Sequence, residues 1–417
     1  MKKTTQFVGK CACIVFFLAL TGPASADNWP RFRGINGLGI AEAKTVPAKW
    51  TADDFRWSIE LPGTGHSSPV IWDKRVFVTS ADQTAGKRFV SCYSTDDGSE
   101  IWKKSVDYQS YNAHKNNSQA SNTPAVDADH VYVLFQSKAG SPLIAFDHDG
   151  QQKWTYDLGP YLHGQGGGTS PIVFGDLVVV CNDHKSPSFL VAIDRQTGKE
   201  VWKRPREGKR ACYATPCVFR PTSGPDQLVF SHCFEGIVGV DPKSGTQLWQ
   251  VDVFGTHSQR AVGSPIQFGD LILANSGGLG GEKNSVAVRI ETSGTRSKAT
   301  EAYRFRNSQS PHVPSLIVYD GRLFLWTDQG IVVCADAKSG KQLWQARVGG
   351  NYFSSPVCIN GLLYNHSVAG QMVVIGTGDK YELIARNPIG ESSHATPAVG
   401  DGRLFVRTPA RLIAIGR

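Results

Sequence analysis

Apolar residues along this chain come in short runs divided by polar, turn-forming clusters, and the runs follow no helical period. Pro171-Ile-Val-Phe174 is followed by Gly175-Asp176 and then by Leu177-Val-Val-Val-Cys181. Phe189-Leu-Val-Ala-Ile193 runs into the turn Asp194 to Gly198, and Lys199-Glu-Val-Trp202 opens the next run. This alternation predicts four antiparallel strands joined by tight hairpins.

Two tags mark each repetition of that pattern. One is Asp, three residues, Gly, three residues, Trp: Asp194 to Trp202, Asp241 to Trp249 and Asp336 to Trp344, with looser copies ending at Trp102 and Trp154. The other is Ser or Thr followed by Pro, at Ser68, Thr123, Ser170, Thr215, Ser264, Ser355 and Thr396; Ser315-Leu316 is an eighth copy that has lost its Pro. Eight self-similar units predict a repeat fold, and four strands per unit predict an all-β, eight-bladed β-propeller. The tag Asp can accept turn amides, Gly supplies positive φ, and Trp can fill the wedge between neighbouring blades. Pro at the start of an inner strand removes a donor where pairing has not begun. Units five and seven lack the Trp. The last unit, from Pro397, has room for only three strands, so Phe55 to Leu61 should supply its outermost strand and close the ring.

The tags resemble the repeat of the pyrroloquinoline quinone (PQQ)-type propellers, a family that includes quinoprotein alcohol dehydrogenases and the propeller subunit of the outer-membrane barrel-assembly machinery. The resemblance covers residues 55 to 417, and Trp29-Pro-Arg-Phe-Arg-Gly34 looks like the N-terminal strap of many bacterial members. It implies the fold strongly and an activity hardly at all. The dehydrogenase members carry a vicinal Cys-Cys pair over the quinone, a calcium held by Glu and Asn, and an Asp base. This sequence has no Cys-Cys pair, and no such acidic set falls in the loops before its inner strands. No cofactor is therefore expected; PQQ and calcium stay open as alternatives that the sequence does not support.

The first 26 residues read as a secretory leader: Lys2 and Lys3, the apolar run Ile14 to Leu20, and Ala24-Ser25-Ala26 at the cleavage site. The expected organisation is leader 1–26, strap 27–54 and propeller 55–417. Beyond the leader, 41 basic residues stand against 36 acidic ones, a net +5 without long runs of one sign. That balance argues against nucleic acid as a partner. Seven cysteines follow the leader, none in a C-x-x-C pair, and several sit inside apolar strands as small buried hydrophobes.

Propellers display inter-blade loops around one mouth of a central channel. Aligned on the Ser/Thr tags, the upstream loops offer His66, Gln119, Gln165, Arg210, Tyr213, His257, Arg260, His312, Tyr352, Glu391 and His394 as candidate ligand-binding residues. One carboxylate among them serves calcium poorly. Only His66 and His394, on neighbouring units, are expected close together, so no metal site is expected. A polar face for an anionic or sugar-like ligand, or for a partner protein, suits the set, as does an ordinary solvated rim. The expected protein is a monomeric, non-catalytic, periplasmic or secreted propeller, acting as a binding or assembly scaffold toward an envelope protein or a small polar ligand. A PQQ-dependent dehydrogenase with a divergent site and a carbohydrate-binding propeller are the alternatives.

Overall fold

Eight antiparallel sheets form a closed ring in the computed structural model, which describes residues 28–416 apart from 163, 186, 256–259 and 279–280. The leader and His257 lie outside the described residues. Blades 1 to 8 begin with the inner strands Val70–Trp72, Ala125–Val126, Ile172–Phe174, Cys217–Phe219, Ile266–Phe268, Ile317–Tyr319, Val357–Ile359 and Ala398–Gly400. Each inner strand follows a Ser/Thr tag by two residues or fewer, as the eightfold repeat predicts.

The ring closes as expected. Phe55–Glu60 pairs antiparallel with Arg411–Ile415 as the outermost strand of blade 8, placing Trp57 opposite Ala414. A second closure lies at the innermost edge, where the Thr396 amide donates to Ser68 Oγ at 3.1 Å. Blade 7 carries a fifth strand, because Ile40–Ala41 adds in parallel beside Val357–Ile359.

Apolar side chains concentrate between blades. One cluster unites Tyr132 and Leu134 of blade 2 with Val178, Val180 and Phe189 of blade 3, and the same arrangement recurs around the ring. The two tags act across these seams. Trp102 of blade 1 donates its indole N–H to His148 O at 2.8 Å, in the turn of blade 2, and a Cβ on Gly150 of that turn would lie 2.8 Å from the indole. Trp57 and Trp154 bind the following turn in the same way, at Thr95 O and Arg195 O, both at 2.9 Å. In blade 5, which lacks the Trp, Tyr303 takes its place with a 2.6 Å hydrogen bond to Ala337 O. The tag Asp holds its own turn: Asp194 Oδ1 accepts the Thr197 amide at 2.7 Å. Its carboxyl is held below the usual range, first by the Thr197 hydroxyl and then by that amide.

The N-terminal strap crosses the floor of the ring. Trp29 exchanges backbone hydrogen bonds with Ile71 of blade 1, and Pro30 O accepts the Val126 amide of blade 2. Arg31 donates to Pro216 O of blade 4 at 2.7 Å. Arg33 donates to Leu316 O of blade 6 at 2.9 Å and Pro356 O of blade 7 at 3.3 Å. The tight path needs positive φ at Arg33 (60°), Gly34 (67°) and Asn36 (51°). Gly34 also lies flat under Trp29, where a Cβ would meet the ring at 2.6 Å.

Candidate functional site

Depth in the central channel can be counted along each inner strand. The Ser/Thr tag is the reference: the strap touches positions one and three residues after it, such as Pro216, Val218, Pro356 and Cys358. The mouth lies on the other side, at positions before the tag. Between them is a cavity of about 520 Å³.

The tag residues themselves form a belt around this cavity. Seven of the eight backbone amides donate to the tag hydroxyl of the next blade: Ser68 to Thr123 (2.9 Å), Thr123 to Ser170 (3.0 Å), Thr215 to Ser264 (3.0 Å), Ser264 to Ser315 (3.0 Å), Ser315 to Ser355 (2.9 Å), Ser355 to Thr396 (3.0 Å) and Thr396 to Ser68 (3.1 Å). The repeat therefore keeps a hydroxyl at this position for a mechanical reason that Pro alone does not explain. An inner strand edge facing a channel has amides without a ladder partner, and the next blade's Oγ supplies one.

Two residues upstream, a second ring faces the mouth. It comprises His66, Ser121, Gly168, Tyr213, Val262, Val313, Phe353 and His394, one from each blade junction. His394 is its aromatic centre, with ring centroids 4.6 Å from His66 and 4.5 Å from Phe353. His394 Nδ1 lies 3.2 Å from Asn116 O. Farther out, Gln165, Arg210, Arg260 and His312 complete the wall. The His312 loop is anchored by Asp328, whose carboxylate accepts the His312 amide at 2.7 Å and the Val313 amide at 3.1 Å.

Seven of the sequence-predicted residues thus meet at the cavity: His66, Gln165, Arg210, Tyr213, Arg260, His312 and His394. Three do not. Gln119 turns into the protein and donates to Tyr111 O at 2.5 Å. Tyr352 is fully buried against Trp326, with ring centroids 5.1 Å apart. Glu391 pairs with Arg411 at 2.7 Å outside the cavity. The slip at Tyr352 is one residue: in extended backbone, neighbours face opposite ways, so Phe353 points to the mouth and Tyr352 to the core. Phe32 was also missed. It rises from the strap into the floor of the same cavity.

Burial sets the electrostatics. His66 is pushed down to about 3, first by desolvation and then by His394 and Arg407. His394 and His312 are lowered for the same leading reason. All three imidazoles are neutral at neutral pH, and burial pushes the Tyr213 phenol upward, so it stays protonated. Arg210 and Arg260 carry the charge of the wall. No carboxylate occurs among the described residues lining the cavity.

That donor set does not fit a calcium-assisted quinone site. A hard cation wants several anionic or carbonyl oxygens, and here it would meet guanidinium groups and neutral side chains. A buried trio of possible metal ligands, Cys212, His232 and Cys233, lies behind the Arg210–Tyr213 loop. There His232 Nδ1 accepts the Phe234 and Glu235 amides at 3.4 and 3.3 Å, which leaves Nε2 as the protonated nitrogen.

A ring of four-stranded blades, with Trp-bearing outer strands and hydroxyl-tagged inner strands, defines a PQQ-type eight-bladed propeller. The chain belongs to the family described as outer membrane protein assembly factor BamB, whose profile matches residues 50–215 and 234–415. No curated protein matches the sequence. Among solved structures, BamB from Moraxella catarrhalis is 15% identical with a TM-score of 0.62, covering 87% of this chain and 96% of that one. A europium-containing methanol dehydrogenase is 12% identical with a TM-score of 0.70, covering 92% and 90%. The quinohemoprotein alcohol dehydrogenase from Comamonas testosteroni is 13% identical with a TM-score of 0.65, covering 94% and 80%. At these identities the likeness speaks for the fold. Among the described residues, no helix is long and apolar enough to cross a membrane.

Proposed function

We propose that this protein is a non-catalytic binding scaffold of the cell envelope, exported by a leader ending near Ala26 and working through the channel mouth. The observation that carries the reading is the character of that mouth. It gathers two arginines, amides and desolvated neutral imidazoles on a rigid ring, and among the described residues no carboxylate lines it to serve as base or cation ligand. Catalysis of quinone-type oxidation needs such groups; recognition needs donors held in fixed positions, which the belt and the inter-blade contacts provide. The family description, an outer-membrane assembly factor, supports an envelope role.

Two measurements test this. The purified protein, incubated with PQQ and calcium and offered a panel of alcohols and sugars, should give no dye reduction; turnover would overturn the reading. Cross-linking in envelope extracts should enrich a partner with the wild type and lose it with the His66→Ala/Arg260→Ala variant. Equal capture by both would move the binding face elsewhere on the ring.

A further inference from the structure

The geometry points to the channel as a pocket for an anionic monosaccharide, a pyranose carrying a carboxylate or a phosphate, with Phe32 of the strap as its floor. This rests on the reading of the mouth as a binding face and adds the chemical class of what enters it.

The first support is closure. Phe32 lines the same cavity as the eight tag residues, and its neighbours Arg31 and Arg33 are pinned to carbonyls of blades 4, 6 and 7. The strap therefore stands across the channel at one end, and the mouth lies at the other. A cavity of about 520 Å³ falls within the range of small-molecule sites, roughly 300–1,000 Å³.

Hydrogen-bonding polarity is the second support. Each belt hydroxyl in the seven contacts above accepts an amide with its oxygen, so its own O–H remains to donate. Arg210 lines the cavity with no hydrogen-bond or ion-pair partner among the described residues. Arg31 and Arg33 lie buried beneath the floor, bound to carbonyls, with no carboxylate within 4 Å among the described residues. Their positive charge is uncompensated locally and acts through low-dielectric protein on whatever sits above Phe32. A cavity rich in donors and charge, without an acidic wall, selects an oxygen-rich anion.

Shape supplies the third. Phe32 from below and Phe353 and Tyr213 from the wall present apolar ring surface beside these donors. A pyranose matches that mixture, with C–H faces for the rings and hydroxyls for Gln165, Asn116 and the belt.

Calorimetric titration of the full-length protein tests the assignment with glucuronate, glucose 6-phosphate, glucose and PQQ as separate probes. At least one sugar anion should bind with one-to-one stoichiometry, and glucose about tenfold more weakly or not at all. Comparing glucuronate with the phosphate separates the two anion sources. Arg210→Gln should weaken the anion about tenfold and narrow its margin over glucose. Phe32→Ala should weaken both, and Phe32→Tyr should restore them, with thermal melts reporting that each variant is folded. Binding of neither anion, equal binding of glucose, or binding of PQQ alone overturns the proposal. Capture of an envelope partner without any sugar binding would overturn the ligand and leave the scaffold standing; absence of both would overturn both.

Discussion

Trp202 of blade 3 lies flat on Gly245 of blade 4. A Cβ at Gly245 would come within 2.6 Å of the indole, whose N–H donates to Pro242 O at 2.8 Å in the same turn. The Gly of one tag and the Trp of the preceding one are thus a single contact split between two repeats. Gly245 also has φ of 69°. Gly245→Ala should therefore cost about 2–4 kcal/mol, combining backbone strain with overpacking. Gly269 is a control, with φ of 57° and open space around it. Its alanine variant should cost only about 1 kcal/mol. Urea unfolding of the two variants measures the difference, and equal losses would remove the packing half of the argument.

Ring closure makes a second prediction. Trp57 is buried, and its indole binds Thr95 O of blade 1. Trp57→Ala should cost roughly 3–5 kcal/mol. Deleting residues 28–60 removes the outer strand of blade 8 and should give an aggregating product by light scattering.

Acid should weaken the fold through buried imidazoles. Desolvation holds His66 at about 3, with His394 and Arg407 adding to the depression, and holds His366 at about 4, against an ordinary 6.5. The unfolded chain takes up these protons first, so stability is full above 6.5 and is lost as pH falls from there toward 4 and then 3. At pH 4.5 each group should cost roughly 2 kcal/mol. Urea midpoints at pH 7.5 and 4.5 check this, and His66→Phe should show a smaller drop than the wild type.

The thiols should be inert. Burial pushes Cys92, Cys217, Cys334 and Cys358 up to about 12 and raises Cys181 and Cys212 as well. An aromatic disulfide reagent at pH 8 should label none of the seven within minutes in the native protein and should react on addition of denaturant. Rapid native labelling would show a strand opening that the packing does not provide for.

Tyr352 and Phe353 give the sharpest local contrast. Tyr352→Ala should cost about 3 kcal/mol and leave ligand binding unchanged, because the ring packs on Trp326 in the core. Phe353→Ala should keep most of the stability and weaken whatever the mouth binds. The reverse outcome would place the mouth one residue away.

That pair also shows how far the sequence could be read. Blade number, strand order and closure were legible because every repeat restates them, and local spacing is enough to fix a hairpin. His66, Tyr213 and His394 were found because they stand two residues before a tag, the position facing the mouth. Gln119, Tyr352 and Glu391 stand farther upstream, at the same distances as Arg260, His312 and Arg210, so there the path of each loop, and not the spacing, decides which side chain reaches the cavity. No repeat pattern could place Phe32: it depends on Arg31 meeting Pro216 across 185 residues and Arg33 meeting Leu316 across 283. Such contacts leave no periodic trace.

The strap sets the order in which the chain can be finished. Arg31 and Arg33 of the strap find their carbonyl partners in blades 4, 6 and 7, and Phe55–Glu60 waits for Arg411–Ile415. A chain that emerges N-terminus first thus holds Phe55–Glu60 without its ladder partner until the last strand arrives. The opening residues are the final fastening, so a truncated product lacking only the last strand would leave both ends loose and expose two sheet edges at once.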